Sequence, residues 1–495
     1  MACIPPAYED ADGRRWHGGG VGDLAVVAVS TCLAVWSHTW PASSALAAIG
    51  ALWFVVVRRA PRVALVCAVA VIAGSWRSQT TWDAAHPRQL GRYVGWAELV
   101  GDPAPLGRGL RVTLEIGDER FDAWAYGSPR RRLAERQSGD VVWVSGTRRP
   151  NGDHARRALV RHVVGRFELD YTGDIATAAP LDRASAKVRA ALREAAEATM
   201  PADEAALFTG LVIGDDAREP PAMIQAFRDA GLSHLTAVSG QNVAYLLLGV
   251  GLLVRRLRPW WRWTVSVGLI GWFMALTRFE PSILRAGVMA VLAITGFTLG
   301  RRQHPAGLLA VAVTVLAVVD PFLVWSVGLW LSVGATAGVC TVGPWLAERL
   351  RGPPWWRLAL GTALGAQAGI VVPSLLVFHR LPVVSIPANL LAVPVAGAVM
   401  LVGLPAGLLA GWGPAVVRDA VMLPCRLGTR WVATVAEVSA RLEPSGVRRL
   451  VAWAILLAVV AALLGRRCEP GPDAQRWTAD DPRMGREPSS VEERS

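Results

Sequence analysis

The feature that most constrains this chain is a succession of long apolar runs. They lie near 22–38, 42–57 and 62–76, then near 232–254, 262–277, 282–299, 305–319, 322–342, 358–378, 383–411 and 448–465. A helix crosses the hydrocarbon of a bilayer with roughly 20 apolar residues, and somewhat fewer where its flanks snorkel. No water is present there to satisfy a bare backbone, so each run that enters lipid must be helical. Composition agrees: 53% of the residues are hydrophobic and 18% are charged, where soluble domains carry about 25% charge. The expectation is a polytopic α-helical membrane protein with about 10–11 transmembrane helices. Segments 205–214 and 413–440 are expected to be interfacial or re-entrant.

Arginine placement orients the spans. The turn between the second and third runs carries Arg58, Arg59 and Arg62, and positive charge stays in the cytoplasm. The N-terminus is then cytoplasmic and whatever follows Trp76 is outside. Downstream, basic turns at Arg255, Arg256, Arg258 and Arg262, at Arg301 and Arg302, and at Arg349, Arg351 and Arg357 alternate with turns poor in arginine at 278–281, 320–321 and 379–382. Arg466 and Arg467 close the last run. Both readings predict a multi-pass protein of the cytoplasmic (inner) cell membrane with both termini inside. Segment 22–38 is read as a retained span, because two more follow at once without a clear small-residue cleavage site.

From about 88 to 170 the pattern changes to short alternating runs bounded by turn residues, at 93–100, 110–116, 121–126, 141–145 and 159–167. Five short strands of this kind suggest an inserted small β-barrel of OB type outside the membrane, a fold often used on single strands. Trp96, Trp124, Tyr126 and Trp143 are stacking platforms in a nucleic-acid reading, and core filling is the preferred reading for most of them. The expected organisation is a three-span segment over 1–80, the β domain over 88–170, an amphipathic linker over 180–204, a channel-like domain over 205–467 and a disordered tail over 468–495. Arg189 and Arg193 of the linker are set against Glu194 and Glu197 on one amphipathic helix.

The net charge is +12, and Lys187 is the only lysine. Guanidinium binding of phosphate explains that bias, and so do arginine-rich codons combined with the positive-inside rule. The six cysteines, Cys3, Cys32, Cys67, Cys340, Cys425 and Cys468, show no paired spacing, so neither a disulfide framework nor a metal site is expected.

Polar side chains within hydrocarbon cost roughly 2.5–3.5 kcal/mol when charged and central, so function concentrates where they occur. One stretch runs from Phe227-Arg228 through Gly231-Leu232, His234 and Ser239-Gly240-Gln241-Asn242. A second contains Pro281-Ser282 and Arg285, and a third holds Gln367, then Pro387-Ala388-Asn389. Glycines repeat every four residues at Gly361, Gly365 and Gly369, and at Gly403, Gly407 and Gly411, ridges that let helices approach closely.

Taken in order, these blocks resemble the ComEC family of competence channels. The first is similar to that family's F-R-x-x-G-L-x-H-L-x-A-x-S-G segment, although Gln241-Asn242 stand where the family commonly has Leu-His. The second is similar to its P-S-x-x-R-A block, and the third to its A-N-L-L-A-V-P element. The resemblance implies translocation of single-stranded DNA into the cytoplasm during natural transformation. Its implied partners are an extracytoplasmic DNA receptor, a cytosolic translocase ATPase, membrane lipid and a homo-oligomeric copy. His234, Ser239, Gln241, Asn242, Arg285, Gln367 and Asn389 are the candidate path residues. Arg285 either meets phosphates or Glu280, or snorkels to the outer interface.

Many family members carry a metallo-β-lactamase-like domain, but no H-x-H-x-D-H spacing occurs in this chain, so no enzymatic activity and no cofactor are expected. Two alternatives stay open. Ala237-Val238-Ser239-Gly240 resembles the G-x-S-G of rhomboid proteases, with Ser239 as nucleophile and His304 or His379 as base. A secondary transporter of a small solute is compatible with hydropathy alone.

Overall fold

The computed structural model describes residues 19–37, 42–56, 60–107, 109–134, 136–152, 158–176, 180–215, 218–236, 240–277, 281–300 and 304–464. The expected tail over 468–495 lies outside them. The chain opens on three packed helices, α1 (Gly19–Trp36), α2 (Ala42–Val56) and α3 (Pro61–Asp83). Proline at the first position of α3 costs nothing, because that N–H has no helical acceptor and the ring presets φ.

Strands β1 (Gly91–Leu99), β2 (Ala104–Leu106), β3 (Gly109–Ile116), β4 (Glu119–Ala125), β5 (Val141–Pro150) and β6 (Val163–Ala176) follow, with α4 (Gly127–Leu133) between β4 and β5. They form one sheet in the order β1-β5-β6-β4-β3-β2, all neighbours antiparallel except β4 and β6. Ile116 pairs with Glu119, so Gly117-Asp118 is a two-residue hairpin loop, and Gly117 supplies the φ of +69° that such a loop demands. The closed barrel expected from the sequence is corrected to a curled sheet. Its margins touch only where Glu98 meets Glu115 and Leu99 meets Leu114.

The aromatic expectation is also corrected. The interior of the curl is filled by Leu99, Val112, Leu114, Phe121, Val144 and Phe167 with alanines between. Trp96 and Tyr126 are exposed, and Trp124 and Trp143 are half-buried. The period-2 rule explains this: Ala97 and Leu99 point inward, so Trp96 must point outward. A narrow core of this size takes small residues on the inward register more readily than indoles.

The helical remainder comprises α5 (Pro180–Thr199), α6 (Ala202–Ile213), α7 (Pro221–Asp229), α8 (Ser233–Thr236), α9 (Gly240–Val254), α10 (Pro259–Leu276), α11 (Pro281–Thr298), α12 (Pro305–Val319), a 3-10 turn η1 (Pro321–Trp325), α13 (Val327–Arg349), α14 (Pro354–Phe378), α15 (Ser385–Trp412), α16 (Ala415–Leu442) and α17 (Val447–Leu463). Helices α3, α13, α14 and α15 are long and apolar enough to cross a membrane, and the pair α16 and α17, bent by 116°, supplies a fifth crossing if it counts as one span. Helices α1, α11 and α12 are apolar but shorter. Helices stand near the apolar runs read from the sequence, but among the described residues four, or five with the bent pair, have the length and composition of a span, fewer than the ten or eleven expected. At 15 residues each, α2 and α9 fall short of the roughly 20 that an upright crossing requires.

Helix α6 was expected at an interface, yet every residue from Ala205 to Ile213 is buried in the bundle. Helix α16 is amphipathic: Met422, Cys425, Thr429, Val432 and Ala436 face inward, while Leu423, Leu427 and Trp431 are exposed.

Both glycine ridges act as close-approach surfaces. A Cβ at Gly365 would stand 2.8 Å from the Gly338 carbonyl of α13, and one at Gly361 2.8 Å from that of Gly343. On α15, a Cβ at Gly403 would press on Val212 of α6 at 2.6 Å, and one at Gly411 would meet the Ala191 carbonyl of α5 at the same distance. Both helix seams therefore need hydrogen at these positions.

The sheet is seated on one end of the bundle. Trp82 of α3 meets Phe322 of η1 edge-on at 5.4 Å, and His162 Nε2 lies 2.9 Å from the Asp320 carboxylate.

Candidate functional site

Signature residues in the first block mostly build the backbone frame. Phe227 and Leu232 are buried, and the Leu232 N–H donates to the Phe227 carbonyl at 2.8 Å, turning the chain at the end of α7. Gly231 takes φ +71°, and a Cβ there would fall 2.5 Å from that of Ser385 at the start of α15. Only glycine satisfies both conditions. Arg228 is exposed.

The polar candidates then divide. His234 on α8 and Gln241 on α9 are exposed. Asn242 is buried, and its Nδ2 donates to the Leu211 carbonyl at 3.0 Å. That carbonyl belongs to the last turn of α6, where no helical N–H remains to meet it. Ser239 lies outside the described residues, while Gly240 begins α9.

Arg285 neither snorkels nor opens onto solvent. It is 6% exposed, its Nε donates to Ser332 Oγ at 2.8 Å, and its Nη1 lies 3.2 Å from Met289 Sδ, so it ties α11 to α13. Pro281 opens α11 with Ser282 beside it. Glu280, its expected counter-charge, lies outside the described residues. Gln367 is buried on α14. Asn389 donates to the Ser385 carbonyl of its own helix at 2.7 Å. Asn242, Arg285, Gln367 and Asn389 lie on four different helices, α9, α11, α14 and α15.

A polar cluster that sequence reasoning missed lies beside α6. Arg193 of α5 is 2.7 Å from the Asp215 carboxylate and 3.7 Å from Asp102, which stands in the turn after β1. Asp102 also accepts from the Ser138 N–H at 2.8 Å, so the pair fastens the sheet to the bundle. Arg189, one turn earlier, donates to the Leu276 carbonyl at the end of α10, where a cation opposes the negative end of the helix dipole. Glu219 is buried too, its carboxylate filling the space left by the missing side chain of Gly210.

On the amphipathic linker helix Arg189 is buried and Arg193 largely so. They share their face with Val188, Leu192 and Ala196, all buried. The available signal was their i, i+3, i+4 spacing with Leu192 and Ala196, together with Gly214-Asp215 directly after an apolar helix.

His304 and His379, the bases of the protease alternative, both serve helix ends. His304 Nδ1 accepts from the Ala306 N–H, and His379 closes α14 at φ +52°.

With this frame described, the comparisons with known proteins bear on it directly. The Competence family model, described as Competence protein, matches residues 211–468, more than half of the chain. This protein belongs to the Competence family. The match runs from the last turn of α6 to beyond α17 and contains every candidate named above. ComE operon protein 3 of Bacillus subtilis (strain 168) is 26% identical over 217 residues, covering 42% of this chain and 27% of that protein. Competence protein ComA of Neisseria gonorrhoeae is 28% identical over 278 residues, 53% of this chain and 38% of that one. The uncharacterized protein YcaI of Escherichia coli (strain K12) is 28% identical over 207 residues, 38% of this chain and 27% of its own. The matched stretch thus spans well under half the length of each of these relatives. No solved structure matches.

Proposed function

We propose that this protein passes a single strand of DNA across the inner membrane during DNA uptake in competence. The observation that carries the reading is the family match over 211–468, within which His234 on α8 and Gln241 on α9 are exposed and Asn242 is buried. Neutral donors suit such a path, because they wet a phosphate backbone without holding it as a ring of guanidinium groups would. Arg193 of α5, paired with Asp215 and close to Asp102, joins the sheet to the bundle. In this reading the chain performs no bond chemistry. A DNA receptor outside delivers the strand, a cytosolic ATPase draws it through, and the N- and C-termini are cytoplasmic.

The sheet fits the same reading. Its meander β1-β3-β4, the intervening α4, and the return of β5 and β6 agree with the five-stranded, partly open Greek-key plan of OB-type folds. Its outer face carries Trp96 against Trp143 at 5.2 Å, and Arg132 over the exposed Tyr171 ring at 5.4 Å. Flat rings beside cations are the features on which unpaired bases stack.

The test is a Gln241→Leu, Asn242→Leu double variant in a transformable host. Uptake of labelled donor DNA should be lost while the protein remains in the membrane at its normal level. Normal uptake in that strain would refute the reading.

A further inference from the structure

Two turns of the bundle carry nearly the same string. Arg256-Leu257-Arg258-Pro259-Trp260-Trp261-Arg262 leads into α10, and Arg349-Leu350-Arg351-Gly352-Pro353-Pro354-Trp355-Trp356-Arg357 leads into α14. The structural register repeats with the residues. Each helix opens on its proline, Pro259 or Pro354, so the tryptophans fill the second and third helical positions and the arginine the fourth. Between them the chain runs through α10, α11, α12 and α13, successive helices that pack on one another. Both strings are basic turns, which the positive-inside rule places on the same, cytoplasmic side. The far end of α17 is there too, since the Arg351 N–H donates to the Leu463 carbonyl at 3.0 Å.

The side chains point outward. Trp260, Trp261 and Trp355 are 65%, 59% and 70% exposed. Arg255, Arg256, Arg258 and Arg351 are exposed as well, and the nearest carboxylate in sequence, Glu348, is exposed beside the second string. Two further arginines are engaged with rings: Arg349 over Trp345 at 4.2 Å, and Arg262 over Phe297 at 5.9 Å. The indoles continue an apolar surface, for Trp261 stands one turn from exposed Val265, and Trp355 from exposed Leu358. Cations above, indoles at the border and aliphatic side chains below reproduce the layering of phosphate, glycerol and acyl chain in a lipid leaflet.

We propose that these two strings are paired headgroup cradles for anionic phospholipid, Arg256 and Arg258 holding one phosphate and Arg351 the other, with the tryptophans seated at the glycerol level. The shared chemistry with single-stranded DNA is phosphate beside an aromatic ring. What favours lipid is the unbroken passage from indole to the aliphatic flank of the same helix, which a nucleic acid would leave uncovered. This inference stands apart from the DNA reading and survives its failure.

The experiment is native mass spectrometry of the detergent-solubilised full chain titrated with phosphatidylglycerol or with phosphatidylcholine. Wild type should retain two phosphatidylglycerol molecules that phosphatidylcholine does not replace. Arg256→Gln with Arg258→Gln should remove one of them and Arg351→Gln the other, each arginine lost weakening binding about fivefold. Trp260→Leu with Trp261→Leu should weaken retention without abolishing the anionic preference. The charge-keeping variants Arg258→Lys and Arg351→Lys should retain both lipids, which separates lost charge from lost folding. A tenfold excess of inorganic phosphate should displace neither. Equal retention of both lipids, unchanged retention in the glutamine variants, or displacement by free phosphate would each overturn the proposal.

Discussion

Two seams of the bundle solve the problem of burial in opposite ways. Between α13 and α14 the interface is almost pure backbone: Gly334, Gly338 and Gly343 face Gly369, Gly365 and Gly361, and no side chain separates them. Around α6 the interface is chemical, with Asn242 on the Leu211 carbonyl, Arg193 on Asp215, and Glu219 beside Gly210. The first seam gains dispersion and requires shape alone. The second takes charge out of water and must satisfy it, a cost that a purely structural helix has no reason to carry. The glycine seam is thus held by shape, and the polar seam by hydrogen bonds and paired charges that only particular side chains supply.

That contrast can be broken from either side. Gly365→Leu should have the largest effect, because backbone stands within 2.8 Å of the new side chain. A cost above about 3 kcal/mol is expected for atoms that cannot shift, read as loss of a monodisperse peak in size-exclusion chromatography. Arg193→Leu comes next. Removing the cation beside the buried Asp215 carboxylate should cost about 3–5 kcal/mol, and pairing it with Asp215→Leu should restore most of the loss in a thermal melt. If the double variant is as unstable as the single one, the ion pair is not what holds this seam.

Asn242→Leu should cost about 1–2 kcal/mol through the orphaned Leu211 carbonyl, measured by denaturant unfolding in detergent. The smallest effect should be Arg88→Ala. Its partner Asp118 is 70% exposed and the ion pair spans 2.6 Å on the surface of the sheet, so less than about 1 kcal/mol should be lost.

Both seams differed in how readable they were. Apolar runs placed α1, α2, α3 and α10 to α15 within a few residues, except that the run at 322–342 divides into η1 and α13, because hydrocarbon enforces helicity wherever it is entered. The four-residue glycine spacing announced the dry seam, since small residues at that period have few other uses in an apolar helix. The polar seam was hidden. Arg189 and Arg193 look solvated in a helix rich in Glu and Ala, and only tertiary packing turns their face inward. The sheet differs again: its strands are legible from alternation, but which register faces the core depends on the width of the curl, so core filling, preferred for most of Trp96, Trp124, Tyr126 and Trp143, does not hold for the exposed Trp96 and Tyr126. The bond of Arg285 to Ser332 of α13 is not legible in the sequence, because the two are 47 residues apart.

The central claim is that α8 and α9 border water that a DNA strand shares. Cysteine accessibility in native membranes tests it most directly. In a background with its own cysteines replaced by serine, Gln241→Cys should react rapidly with a membrane-impermeant thiol reagent, and single-stranded DNA should slow that reaction, while a cysteine at Thr341 on α13 should show no DNA dependence. A Gln241→Cys thiol that stays unreactive, or one whose labelling ignores DNA, would contradict the account.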